Sequence, residues 1–246
     1  LRTAQSRAFA RADGVVFLTE TARDRITRRL PRPPRRTAVI PHGIDERFFQ
    51  APRPARRLAD CTADAPFEIL YVSIVDVYKH QDRVAEAVTR LRAEGLPVAL
   101  RLVGPAYPPA LQELNETLDR IDPRRETVRY EGAIPFGQLH QRYHAADLFV
   151  FASSCENLPI ILLEAMAAGL PIASADRDPM PEVLGAAGTY FDPTDAGSIA
   201  DAVRGLCHAP ERRAALARAA QERARGYRWD ESAQRLFAFL ATCAER

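Results

Sequence analysis

Short apolar segments alternate with helical patterns along most of this chain, and that alternation is what most limits its fold. The segments FEILYVSI at 67–74 and DLFVFAS at 147–153 are almost wholly apolar. A strand this apolar is typical of a sheet buried on both faces. Because helical patterns of about 10–15 residues separate such segments, the sequence predicts βαβ units and a parallel sheet.

The other predicted elements continue the same alternation. We predict strands at 37–41, 67–74, 98–104, 127–132, 147–153, 170–175 and 188–192. We predict helices at 81–94, 108–121, 136–146, 159–168, 196–206, 209–225 and 230–244. Together they predict an α/β fold, a Rossmann-like doubly wound parallel sheet over about 37–225, with ligands at the carboxyl ends of its strands.

Residues 1–30 have a different pattern of predicted elements from the rest of the chain. They predict a helix, a short strand at 14–19 and a second helix, followed by the Pro/Arg-rich linker PRPPRR at 31–36. A single strand cannot form a sheet alone. We therefore expect residues 1–30 to be the tail of a preceding domain that is missing here.

Composition excludes several classes of protein. The net charge of +2 gives no argument for a nucleic-acid partner. The four cysteines, which form no CxxC pair, suggest neither a zinc site nor a disulfide framework. No apolar stretch approaches the roughly 20 residues that span a bilayer. We therefore expect a cytoplasmic protein. Its only lysine, among 34 basic residues, is Lys79.

The stretch CENLPIILLEAMAAGLP at 155–171 places one glutamate, Glu164, inside an apolar run. Glu156 lies in the loop that follows the strand at 147–153, and Pro159 suits the first position of the next helix. The start of a helix attracts phosphate, and Glu164 lies about 7–8 Å further along the axis. That offset suits a carboxylate that binds a ribose. It equally suits one held inside the fold by an arginine or a helix N-terminus.

These residues occur within a longer series of motifs. The chain resembles the GT4-type family of retaining glycosyltransferases, which have the GT-B fold and an E-x7-E motif followed by EAMAxGxP. The resemblance extends over about residues 10–245. It rests, in chain order, on IPHGID at 40–45, YVSIVDVYKHQ at 71–81, LVGP at 102–105, the segment 128–153, Glu156 with Glu164 and EAMAAGLP, PMPEVLG at 179–185 and TYFDPTD at 189–195.

The resemblance implies a role for each matching position. Lys79 would contact the donor pyrophosphate, and Glu156 would bind the sugar hydroxyls; these two are the implied catalytic residues. Glu164 would bind the ribose. Further donor contacts would come from the amides of Asn157 and Leu158, the backbone of Ala133 and Ile134 near the nucleobase, and Gly104, where the chain could approach the ligand closely.

Two departures and two competing signals accompany this resemblance. Ile74 stands where the family often has a phosphate-binding arginine, so Lys79 acts alone or another arginine replaces it. The family's EGFG is ENLP at 156–159, so we expect an altered sugar pocket. DRD at 176–178 matches a short metal-binding pattern, but we interpret it as a polar turn. His140 and His144 share a helix face without a third ligand, and we interpret them as surface or packing residues.

The resemblance therefore implies the donor-binding half of a GT-B enzyme. Residues 1–30 would be the tail of the acceptor domain, 31–226 the nucleotide-sugar-binding domain and 227–246 a crossover helix. A sugar would pass from a nucleotide-diphosphate sugar to an acceptor hydroxyl, with retention and with no cofactor or metal, in polysaccharide or glycoconjugate synthesis. A lipid-linked acceptor would add peripheral contact with the inner membrane.

Two alternatives stay open at this point. The chain could be a non-catalytic nucleotide-sugar-binding module or subunit that needs a partner domain, which the isoleucine at position 74 favours. It could also be a sugar-nucleotide epimerase of the same fold, which fits the E-x7-E motif and its following residues less well.

Overall fold

The computed structural model describes residues 2–244; Leu1, Glu245 and Arg246, which fall in the predicted terminal segments, lie outside this range. The strands are β1 Val15–Phe17, β2 Thr37–Val39, β3 Phe67–Val72, β4 Val98–Val103, β5 Val128–Gly132, β6 Leu148–Phe151, β7 Ile172–Ala175 and β8 Thr189–Phe191. The helices are α1 Arg2–Arg11, α2 Glu20–Thr27, α3 Gln81–Ala93, α4 Pro108–Ile121, α5 Phe136–Ala145, α6 Ile160–Ala167, α7 Met180–Leu184, α8 Ala196–Cys207, α9 Pro210–Ala224 and α10 Trp229–Ala244.

A six-stranded sheet forms the centre of the molecule, in the order β5-β4-β3-β6-β7-β8. Every pairing in it is parallel. The chain builds outward from β3 to β5 and then returns to add β6 on the other side of β3. The predicted doubly wound α/β fold is therefore confirmed, and the strand order reverses between β3 and β6, where such folds bind ligands.

The central strands are buried because helices cover both faces of the sheet. All four residues of β6 are buried, and so are all four of β7. Helix α6 is itself almost wholly buried, from Leu162 to Ala167, and packs on α9. A helix that is apolar on every side belongs inside a core, which explains why a glutamate in α6 is carried into the interior.

The strand predicted at 37–41 forms as β2, but the prediction that it joins the large parallel sheet was wrong. Instead β2 pairs in parallel with β1 in a separate two-stranded sheet. Its residues are only partly buried or exposed, unlike the central strands of the six-stranded sheet. The short strand near residues 14–19 thus finds its partner in the segment that follows the linker.

Helix α10 lies against this small sheet rather than on the large one. It contains no buried residue, and the Arg235 guanidinium donates to the Val39 carbonyl at 2.6 Å. A Cβ added at Gly14 would overlap Cys243 and Phe239 of α10. The alternative that the apolar residues of α10 pack on the domain's own sheet is wrong, because they are exposed: Trp229, Leu236, Phe237 and Leu240.

Asp122 holds the loop between α4 and β5 through its side chain. This buried carboxylate accepts hydrogen bonds from the amides of Glu126, Thr127 and Val128, at 3.1, 3.0 and 2.8 Å. We expect Asp122→Ala to lower the free energy of unfolding by about 3 kcal/mol, because it leaves buried N–H groups unsatisfied. Urea denaturation measures this; the exposed Asp119→Ala is the control, and equal effects of the two would contradict the assignment.

Candidate functional site

Two loops meet where the strand order reverses. Lys79 ends a 3₁₀ turn, Val77–Lys79, shortly after β3, and Glu156 lies in the loop after β6. Because β3 and β6 are neighbours, these two side chains are brought together although 77 residues separate them, and Lys79 Nζ forms an ion pair with Glu156 Oε1. The two implied catalytic residues are thus in direct contact.

The turn that carries Lys79 is held at several points. Asp76 caps it by accepting from the Val77 amide at 2.8 Å, and the Tyr71 hydroxyl donates to the Lys79 carbonyl at 2.6 Å. The ammonium lies 5.0 Å from the ring centroid of Tyr78 and 5.4 Å from that of Phe151. Lys79 is only 4% exposed, so its charge is stabilised by aromatic faces and one carboxylate.

The loop that carries Glu156 presents free amides beside this charge. The Pro159 carbonyl accepts from the amides of Leu162 and Leu163, so α6 begins here. Among the residues that the structure describes, the amides of Glu156, Asn157 and Leu158 have no hydrogen-bond partner. Free N–H groups at a helix start, next to an ammonium, are chemically suited to bind phosphate oxygens.

Glu164 faces a tyrosine. Its carboxylate is 4% exposed, and its Oε2 accepts from the Tyr143 hydroxyl of α5 at 2.9 Å. Burial raises the pKa of Glu164 from 4.5 to about 7; the hydrogen bond from Tyr143 lowers it and the negative charge of Asp45 raises it further. The alternative that an arginine or a helix N-terminus holds this carboxylate is therefore wrong, because Tyr143 does so.

The remaining predicted positions lie along the same edge of the sheet. Ala133 and Ile134 follow β5, two strands from β3, so they are apart from the ion pair. Gly104 directly follows β4 and has a φ of +142°, and a Cβ there would overlap the Ser73 carbonyl. The glycine is thus required for the close approach of two chain segments, whatever it does for a ligand.

Ile74, which stands where the family often has a phosphate-binding arginine, takes part in holding the turn before Lys79. The Ile74 carbonyl accepts from Gln81 Nε2 at 2.8 Å, which anchors the turn before Lys79. Within residues 2–244, Lys79 is the only basic side chain that forms an ion pair with Glu156. The ion pairs of Glu156 among the described residues thus involve no arginine.

The competing signals have structural explanations. Arg177 pairs with Asp192 at 3.0 Å, and Asp178 pairs with Arg25 at 3.0 Å, so the DRD turn forms ion pairs on both sides. The rings of His140 and His144 contact each other edge to face, 6.2 Å between centroids. The described residues contain no group of three or more potential metal ligands, and none of their helices is long and apolar enough to cross a membrane.

Two residues of the site were missed by sequence reasoning. Tyr143 gave no signal beyond its place in a helical pattern, because its partner lies 21 residues away. Thr19 could have been recognised as a helix N-cap, since a threonine precedes the pattern of α2. Its hydroxyl also donates to the Asn157 carbonyl at 3.1 Å, across 138 residues, which local sequence does not reveal.

The raised pKa of Glu164 predicts how stability depends on pH. The folded state holds the proton of Glu164 more tightly than the unfolded chain does. The protonated carboxyl therefore contributes fully to the free energy of unfolding below pH 4.5, and this contribution is lost as pH rises through about 7. We expect wild type to lose about 3 kcal/mol relative to Glu164→Gln across that window. Urea denaturation at several pH values measures the difference. Glu113→Gln, exposed on α4, is the control, and a pH-independent difference for Glu164→Gln would contradict the burial argument.

Comparison with known proteins identifies relatives of this chain. Residues 62–223 match the family model "Glycosyl transferases group 1". A D-inositol 3-phosphate glycosyltransferase of Thermobispora bispora is 30% identical over 96% of this chain and 57% of that protein. A GDP-mannose-dependent alpha-(1-6)-phosphatidylinositol monomannoside mannosyltransferase of Mycolicibacterium smegmatis is 31% identical over 87% of this chain and 58% of that protein. The chain thus spans somewhat more than half the length of these relatives.

Solved structures support the fold. HepE of Anabaena, in complex with UDP and glucose, superposes with a TM-score of 0.83 at 20% identity, over 98% of this chain and 66% of that one. Sucrose-phosphate synthase of Thermosynechococcus elongatus gives 0.81 at 23% identity, over 98% and 60%. The family model covers most of the chain, and the fold agrees. The chain therefore belongs to the group 1 family of glycosyl transferases.

Proposed function

We propose that this chain is the nucleotide-sugar-binding half of a retaining glycosyltransferase, which transfers a sugar from a nucleotide-diphosphate donor to an acceptor hydroxyl. The observation that carries the proposal is the ion pair between the buried Lys79 and the partly buried Glu156, at the switch point between β3 and β6. The other ion pairs within residues 2–244 involve arginine, for example Arg101 with Glu68 and Arg177 with Asp192. This one joins the only lysine of the chain to a loop of free amides.

The donor diphosphate would bind between Lys79 and the start of α6. An ammonium has three N–H donors, and one is committed to Glu156 in this structure. The other two are available to phosphate oxygens, together with the amides of the loop 156–158. This positive surround would stabilise the charge that develops on the leaving phosphate, which is the electrostatic form of catalysis.

Glu156 would bind the hydroxyls of the donor sugar. Its partner Lys79 fixes one carboxylate oxygen, which leaves the other oxygen to accept from the sugar. Asn157 is exposed next to it, so its side chain could donate to a sugar oxygen. The loop ENLP thus offers a polar amide where the family has glycine, and we propose that this residue contributes to the choice of sugar.

Glu164 would bind the ribose. Tyr143 holds Oε2, so Oε1 is the oxygen free to accept from ribose hydroxyls. The base would lie further along the edge, near Ala133 and Ile134. Relatives named for GDP-mannose and solved in complex with UDP and UDP-glucose support a nucleotide sugar as donor and leave uracil and guanine as the bases to compare.

The proposal requires no metal ion and no other cofactor. Lys79 and the helix amides supply the positive charge that a metal would otherwise bring to a diphosphate. Retention of configuration is part of the proposal because it belongs to the family that this chain resembles. Relatives that act on inositol phosphate or phosphatidylinositol suggest glycoconjugate synthesis in the cytoplasm, with peripheral membrane contact where the acceptor is a lipid.

We further propose the domain assignment 1–30, 31–226 and 227–246, with an acceptor domain packed against the first and last of these segments. The exposed apolar residues of α10 support it: Trp229, Leu236, Phe237 and Leu240. Four large apolar side chains exposed on one helix indicate a surface that is covered in a larger assembly. The observation that favours a non-catalytic binding module instead is Ile74, which stands where the family often has a phosphate-binding arginine.

Nucleotide binding tests the donor site directly. We expect UDP or GDP at 100 times its dissociation constant to raise the free energy of unfolding by about 2.7 kcal/mol, equally in the presence of EDTA. Glu164→Gln should weaken binding roughly tenfold, because the amide is a poorer acceptor for the ribose hydroxyls. With the 2′,3′-dideoxy nucleotide the variant and wild type should bind alike. Thermal shift and calorimetry measure these affinities.

Two controls separate the parts of this proposal. The exposed Glu113→Gln should bind every nucleotide as wild type does. Because Lys79 is the only lysine, protein labelled with lysine carrying ¹³C at Cε alone gives one side-chain NMR signal, which should move with UDP or GDP and hardly with the monophosphate. A folded sample that binds none of the uridine, guanosine or adenosine diphosphates would contradict the proposed function.

Catalysis needs an acceptor as well as a donor. We expect the 246-residue chain to show little transfer from UDP-glucose or GDP-mannose to inositol 3-phosphate, because the proposed acceptor domain is not part of it. Release of the nucleoside diphosphate measures turnover. Rapid turnover by this chain alone would contradict the domain assignment, while nucleotide binding without turnover in a longer protein would favour the non-catalytic module.

A further inference from the structure

Thr19 connects the segment before the linker to the loop that carries Glu156. It is buried, with 2% of its surface exposed, and it precedes α2 as its N-cap. Its hydroxyl accepts from the Ala22 amide at 3.1 Å and donates to the Asn157 carbonyl at 3.1 Å. An amide can only donate and a carbonyl can only accept, so the proton of this hydroxyl points to Asn157.

The hydrogen bond to Asn157 also orients the next amide. A trans peptide unit is planar, with its C=O and N–H pointing in opposite directions. A carbonyl held by Thr19 therefore turns the Leu158 N–H away from α2. That N–H has no hydrogen-bond partner among the described residues, and it lies between Glu156 and the start of α6.

The start of α2 is also held by a carboxylate of the neighbouring helix α7. Glu182 of α7 accepts from the amides of Glu20 and Thr21, at 2.7 and 2.9 Å. With Ala22 bonded to Thr19, the free amides of the first turn of α2 all have partners. Arg25, one turn further, pairs with Asp178. Thr19 is thus held rigidly enough to fix the peptide that it contacts.

We propose that Thr19 is a positioning residue for the donor diphosphate, acting through the peptide between Asn157 and Leu158. This inference rests on the proposed function, since it assumes that the loop 156–158 meets the phosphate. Without the hydroxyl, the Asn157 carbonyl loses its donor and the peptide can rotate. The Leu158 amide then no longer faces the distal phosphate, while contacts to base and ribose at Ala133, Ile134 and Glu164 are unchanged.

This role predicts a pattern of affinities that a merely structural role does not produce. We expect Thr19→Val, which keeps the shape and removes the hydroxyl, to bind UDP and UDP-glucose roughly tenfold more weakly and UMP as wild type does. Loss of packing or folding would weaken all three ligands together. GMP, GDP and GDP-mannose are measured in parallel, so that the test also works if the protein prefers guanine to uracil.

Further variants separate capping from the contact with Asn157. Thr19→Ser keeps both hydrogen bonds and should restore UDP affinity. Thr19→Asp keeps an N-cap acceptor but cannot donate, and its negative charge repels phosphate. It should therefore lose at least as much diphosphate affinity as Thr19→Val, even though the cap of α2 is retained. Thr21→Val, in the same turn of α2, is the control for a change of threonine to valine, since the Thr21 hydroxyl makes no hydrogen bond in the described structure.

Calorimetry with UMP, UDP and UDP-glucose, at a temperature where all variants are folded, measures these affinities and tests the proposed role of Thr19. A selective loss of diphosphate affinity in Thr19→Val and Thr19→Asp, with rescue in Thr19→Ser, is the expected result. Wild-type affinity for UDP in Thr19→Val and Thr19→Asp would overturn the inference, and so would equal losses for UMP and UDP. Failure of wild type to bind any nucleotide would instead overturn the proposed function.

Discussion

The ion pair between Lys79 and Glu156 is the interaction on which the rest of the site depends. Taking two charges out of water is costly, and the attraction between them offsets that cost only with good geometry. The fold supplies the geometry because β3 and β6 are neighbours where the strand order reverses, so that two loops far apart in sequence meet. A well-packed apolar pair would stabilise such a core as well or better. What the apolar pair would not supply is an ammonium with N–H groups to spare, next to the start of a helix.

A second carboxylate shows the same conflict between stability and chemistry. Helix α6 is buried because it is apolar on every side, and Glu164 is carried inside with it. One hydrogen bond from Tyr143 does not compensate for the loss of water, which is why the pKa is raised to about 7. Near neutral pH, Glu164 is therefore partly protonated in the ligand-free protein. A ligand whose hydroxyls donate to the carboxylate stabilises its charged form, so binding that ligand would release protons in this range.

The sequence was informative where structure is set by local pattern. The apolar runs at 67–74 and 147–153 identified the central strands, and the helix predicted from residue 159 carries Glu164 as expected. Pairing in space was harder to predict. The strand at 37–41 was placed in the wrong sheet because an isolated run of apolar residues does not reveal its neighbour. The Tyr143 and Thr19 contacts escaped for the same reason, since each joins elements distant in sequence.

The contacts at the start of α2 limit how residues 15–27 can move relative to the loop that carries Glu156. Three amides of its first turn are bonded to Thr19 and Glu182, and Thr19 also holds the loop after β6. Pulling α2 away would break the bonds to Glu182 and to the Asn157 carbonyl together, each worth about 1 kcal/mol when water can replace it. Such a motion would also release the Asn157 peptide in the loop proposed to bind the diphosphate. If Thr19 has the role proposed above, a domain attached through β1 and α2 would influence donor affinity through it without touching the donor.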